Sequence, residues 1–166
     1  MKFLKFGLVI LFVVLLIGLY AFGVDRLVLG SDELYPARAV IADDWNLLEA
    51  PWPQEATREY FANWPIPFPL LFGLLTRVSV VLFGQTHFAL RFWPLLFGLL
   101  SIPAIYALFR RFVPNTFAAV GAILFAASSD KLITYSKSLK HYTADVFFSA
   151  LLLVLARWIV NSKKNQ

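Results

Sequence analysis

Apolar positions along this chain fall into five stretches, and polar residues are gathered between them. The first stretch, 6–24, carries no charge and follows Lys2 and Lys5, so as a helix it can cross the ~30 Å hydrocarbon core of a bilayer. A cleaved signal peptide is the alternative, because Ala21-Phe22-Gly23 loosely fits a small-x-small cleavage site. The run is longer than the usual apolar core of such a peptide, which favours an uncleaved anchor. Four more stretches follow at 66–83, 92–109, 112–127 and 146–160, the last approached through Tyr142. The stretch 66–83 differs from the others, with Arg77 midway and Pro67 and Pro69 at its start. It reads as an interfacial or re-entrant helix on the outer side. The pattern therefore predicts an all-α polytopic membrane protein, one membrane domain over 1–166. It has about four transmembrane helices, near 6–24, 92–109, 112–129 and 142–160. An outer loop, 25–91, carries interfacial helices near 34–48 and 66–83.

Composition agrees with the pattern and charge orients it. Hydrophobic residues make up 60% of the 166 positions and the mean hydropathy is +0.71, well above a soluble average. Seventeen Phe, five Trp and six Tyr suit the lipid core and its interfacial belts. The absence of Cys excludes disulfides, thiolate metal sites and thiol nucleophiles. With Lys2 and Lys5 inside, four spans put both ends in the cytoplasm. Arg110, Arg111, Arg157, Lys163 and Lys164 then lie inside, and all ten acidic residues lie at or beyond the outer face. The formal charge of +5 thus follows membrane topology, and no nucleic-acid partner is expected. If 66–83 crossed, Arg110-Arg111 and Lys163-Lys164 would face outside, against the positive-inside tendency. Only the four-span arrangement lets the outer polar loop and the loop 130–141 meet on one side.

Three polar clusters carry candidate chemistry. Gly30-Ser31-Asp32-Glu33-Leu34-Tyr35-Pro36 precedes an apolar face at Leu34, Ala37, Ile41, Trp45 and Leu48, with Pro36 expected in a first helical turn. Asp32 and Glu33 would sit at the helix N-terminus, where the dipole favours anions. A carboxylate held there can take a proton from a hydroxyl or hold a divalent metal; simple helix capping is the plainer alternative. Next, Pro65, Pro67 and Pro69 force an extended chain, and Trp45, Trp52 and Trp64 form an interfacial belt or a surface on which a sugar could stack. In the third cluster Lys137, Lys140, His141 and Asp145 are spaced as one helical face. Basic groups there suit a lipid phosphate; unrelated surface charges are the alternative. Asp145 opens an apolar span, where a carboxylate needs a partner such as Lys140 or Arg91.

The order of these motifs resembles that of the GT-C glycosyltransferases. An N-terminal span, Asp32-Glu33, a Pro-rich approach ending in Pro69-Leu70, Phe83-Gly84, Phe88-Ala89-Leu90-Arg91 and the stretch 135–145 are similar to glycosyltransferase family 39. That group includes protein O-mannosyltransferases and the related lipid A aminoarabinose transferases. The resemblance covers nearly the whole chain. It implies sugar transfer from a polyprenyl-phosphate carrier to an acceptor hydroxyl of unknown identity, with inversion, at the outer face of a bacterial inner (plasma) membrane. By the same resemblance Asp32 matches the catalytic base, Glu33 its supporting partner, and Lys140 a basic residue near the donor phosphate. Arg91, Lys137, His141, Tyr142 and Asp145 join Lys140 as substrate-binding candidates. No metal ligand is assigned and no cofactor is required, although a divalent metal is compatible with the scheme. Two features depart from the family: Asn63-Trp64-Pro65-Ile66-Pro67 stands where a His or Lys before paired prolines is common, and relatives usually continue through further spans. The second expectation is therefore a non-catalytic truncated relative that binds lipid-linked sugar or complements a separate C-terminal half. A small transporter or channel subunit is disfavoured, because the charges cluster at one face.

Overall fold

The computed structural model describes residues 2–27, 29–42 and 70–164. The tryptophans at 45, 52 and 64, the alternating prolines, and the part of the predicted helix beyond residue 42 lie outside the described residues. Among the described residues every regular element is helical: α1 (Lys2–Ala21), α2 (Ser31–Ala42), α3 (Leu70–Phe83), α4 (His87–Phe109), α5 (Asn115–Ser128), α6 (Asp130–Ser136) and α7 (Tyr142–Lys164). The protein is an all-α membrane protein. Among the described residues two helices are long and apolar enough to cross a bilayer, His87–Phe109 and the Tyr142–Val160 part of α7. The pair α5 and α6, bent by 65°, makes a third if it counts as one broken span. The helices distribute over two compact units, Met1–Gly23 with Pro94–Gln166, and Val24–Trp93.

The larger unit is organised by small residues. Ala118, Ala122 and Ala126 recur every fourth position on α5 and are all buried. Without bulk at these positions, Ala122 packs with Ile105 of α4 and Ala150 of α7 in one core cluster. Several polar side chains are buried and satisfy themselves on carbonyls. Buried Ser101 donates to Phe97 O at 2.7 Å, and Thr143 donates to Pro94 O at 2.9 Å. Tyr20, fully buried near the end of α1, donates its hydroxyl to Ala126 O at 3.0 Å. Phe117, Leu124, Phe148, Leu152 and Leu153 are exposed. Buried hydroxyls bonded to carbonyls beside large exposed apolar side chains suit lipid as solvent.

In the smaller unit α2 packs on α3. Arg77 joins them, donating to Val40 O at 2.5 Å and Ile41 O at 3.0 Å, two carbonyls in the last turn of α2 that the helix itself leaves open. Gly84, at φ 76°, ends α3 in a left-handed conformation, and Thr86 then caps α4 by accepting from Ala89 N at 3.1 Å. Ser79 of α3 donates to Ala89 O at 2.6 Å, closing the corner.

Two local expectations are corrected. First, α2 begins at Ser31, which makes Pro36 its sixth residue and leaves the Asp32 carbonyl without the N–H that a helix normally gives it. Second, part of the stretch read as a loop is the helix α6, whose N-cap Ser129 accepts from Leu132 N at 3.3 Å. Residues 137–141 between α6 and α7 are irregular, so Lys137 and Lys140 do not share a helical face with Asp145.

Candidate functional site

The polar centre of the smaller unit is a buried ion pair. Glu33, in the first turn of α2, is 5% exposed, and Arg91, in the second turn of α4, is 1% exposed. Arg91 Nη2 stands 3.3 Å from Glu33 Oε2. The same oxygen accepts from Gly30 N at 2.8 Å, so the carboxylate closes the turn that starts its own helix. Arg91 Nη1 donates to Val24 O at 2.8 Å and to Leu27 O at 2.7 Å. His87 Nδ1 also meets Leu27 O, at 3.0 Å. One guanidinium therefore holds both the chain leaving α1 and the start of α2. A buried charge without such partners costs several kcal/mol, so this pairing is what permits an arginine inside an apolar helix. Asp32 immediately precedes Glu33 in the turn; its side chain lies outside the described residues.

The other candidates belong to the larger unit. His141 caps the start of α7, its carbonyl accepting from Ala144 N and Asp145 N. Its Nε2 lies 3.6 Å from Asp145 Oδ2, with the side chains 31% and 64% exposed. An ion pair that open to solvent is a weak structural element. Asp145 thus meets His141, a partner the spacing argument did not name. Tyr142 stacks edge-on against Tyr135 at 4.7 Å and lies 5.0 Å from the His141 ring. Lys140 Nζ sits 5.7 Å from the Tyr142 ring, and Lys131 Nζ sits 6.0 Å from the Tyr135 ring. The two ammonium groups flank the tyrosine pair. A cavity of about 210 Å³ opens here, lined by Phe125, Ser129, Lys131, Leu132, Tyr135 and Tyr142 among others. Lys137 is partly buried in the link between α6 and α7. Sequence reasoning singled out neither Lys131 nor Tyr135. Their four-residue spacing behind the Ser129-Asp130 helix start is the signal that was available. Among the described residues, no three His, Cys, Asp or Glu side chains gather into a set that could hold a metal ion.

The family model described as dolichyl-phosphate-mannose-protein mannosyltransferase matches residues 68–165, more than half of the chain. The chain belongs to this family. No curated protein and no solved structure matches it. Arg91, Lys137, Lys140, His141, Tyr142 and Asp145 fall within the matched range, whereas Asp32 and Glu33 precede it. Membership makes the chain a glycosyltransferase-like membrane protein of the GT-C type.

Proposed function

We propose that this mannosyltransferase-family protein takes part in moving a sugar from a polyprenyl-phosphate carrier to an acceptor hydroxyl at the outer membrane face, with inversion at the anomeric carbon. Asp32 accepts the proton of the attacking hydroxyl. The lipid phosphate leaves from the opposite face of the sugar, and Lys140, with Lys137 and His141, offsets the negative charge that develops on it. Tyr142 and Asp145 shape the surroundings of those cations.

The observation that carries the reading is the Glu33–Arg91 pair. Glu33 bonds Gly30 N while Arg91 holds Glu33 and two carbonyls of the incoming chain, so the turn that bears Asp32 is fixed at both ends. In this scheme Glu33 and Arg91 are positioning residues. The buried guanidinium, engaged with three oxygens, is not offered to the donor phosphate. A fixed backbone under the base favours general-base catalysis, where misplacement by an ångström is costly.

Transfer of labelled sugar from a polyprenyl-phosphate donor, followed with the purified protein in detergent or vesicles, tests the assignment. Asp32→Asn is expected to lower the rate by about 10²–10⁴-fold with donor binding retained. A rate equal to wild type removes Asp32 from the mechanism. Wild-type protein that binds the donor but transfers nothing favours the non-catalytic lipid-sugar binder instead.

A further inference from the structure

At the end of the larger unit away from the tyrosine pair stand three arginines, Arg110, Arg111 and Arg157, with no carboxylate in contact among the described residues. Arg110 and Arg111 follow the last turn of α4, which winds on through Arg110 N to Tyr106 O at 2.9 Å and Arg111 N to Leu108 O at 3.1 Å. Arg157, from the far end of α7, lays its guanidinium 4.8 Å over the ring of Phe112. Arg110 lies 5.9 Å from the Tyr106 ring. All three arginines are exposed, and none of them makes an ion pair among the described residues. The unit's two carboxylates stand elsewhere. Asp145 is twelve residues earlier on α7, about 18 Å along its axis, and Asp130 lies beyond the far end of α5, about 21 Å of helix away.

Arg157 also lies inside the apolar part of α7 that is long enough to span a bilayer, beside the exposed Trp158. A cation at that depth requires an anionic partner or a route to the headgroups. Phe112 and Val113, both exposed and apolar, adjoin it and suit the boundary between headgroups and acyl chains. The geometry points to a binding site for the headgroup phosphate of an anionic phospholipid, held by Arg157, Arg110 and Arg111. Phe112 holds the Arg157 guanidinium against the segment that carries the other two. The lipid supplies the negative charge that the protein lacks at this end, and its acyl chains lie along the apolar outer surface of α7.

The test uses the whole chain in nanodiscs made from a mixture of phosphatidylcholine and phosphatidylglycerol, with the lipids retained after detergent extraction counted by native mass spectrometry. Wild type is expected to retain phosphatidylglycerol over phosphatidylcholine by roughly five-fold or more, the preference that even one arginine near a headgroup surface supplies. Arg157→Gln should lose most of this preference. Phe112→Ala, which keeps every charge, should lose a substantial part of it. Inorganic phosphate should not displace the lipid. Equal retention of the two lipids by wild type overturns the site, as does an unchanged preference in both variants or displacement by inorganic phosphate alone. Cysteine accessibility at Thr116→Cys, measured in each variant, distinguishes loss of the site from inversion in the membrane.

Discussion

Arg91 shows how far a residue's partners in the fold can lie from its neighbours in the sequence. An arginine before an apolar run looks like a boundary charge, available to a phosphate. Inside the fold it is 1% exposed and bound to Val24 O, Leu27 O and Glu33. Its partners lie nearly sixty residues or more away in the chain, and no periodicity reports such a contact. Asp32-Glu33 was legible as a helix start, because acidic residues after Ser31 belong there. That Glu33 turns inward to Gly30 N and Arg91 was not legible. Arg91→Met removes the cation from beside a buried carboxylate and should cost about 3–5 kcal/mol, read as a large drop in thermal stability in detergent. Glu33→Gln keeps an oxygen for Gly30 N and should cost clearly less. Equal losses in the two variants would mean that the charge itself contributes little.

Among elements, helices were more legible than their ends. The apolar stretch 92–109 became α4, His87–Phe109, and 142–160 became α7, Tyr142–Lys164. α4 starts earlier than the hydrophobic pattern because Thr86 caps it and Glu33 neutralises Arg91. α6 was hidden by its polarity; Ser129 and Asp130 announce its start, yet Lys131 and Thr134 interrupt any apolar run. Packing between elements adds a test. A Cβ at Gly98 of α4 would stand 2.9 Å from Ser136 Cβ and 3.4 Å from the Tyr20 ring. Ser136 is buried at the end of α6, so its backbone must shift to make room. Gly98→Ala should therefore destabilise by about 1–3 kcal/mol, and adding Ser136→Gly should recover part of the loss. Full stability of Gly98→Ala would show that α6 can move away from α4 at little cost.

For the molecule as a whole, charge asymmetry predicts orientation more directly than any contact does. Because the chain has no Cys, a single cysteine reports its own surroundings. Lys137→Cys should react in intact cells with a membrane-impermeant maleimide added outside, and Thr116→Cys should react only after permeabilisation. The reverse pattern would place the Lys137-to-Asp145 segment in the cytoplasm. α5 adds a consequence for the bilayer itself. Its 14 residues rise only about 21 Å before Ser129 turns the chain aside, some 9 Å short of the ~30 Å hydrocarbon thickness. Such hydrophobic mismatch is relieved by thinning of the surrounding leaflet or by polar residues reaching up to it. The protein should therefore dimple the membrane beside α6. Under the proposed sugar transfer, a lipid-linked sugar would then meet water and the two lysines at a depth where an undisturbed bilayer is still oil.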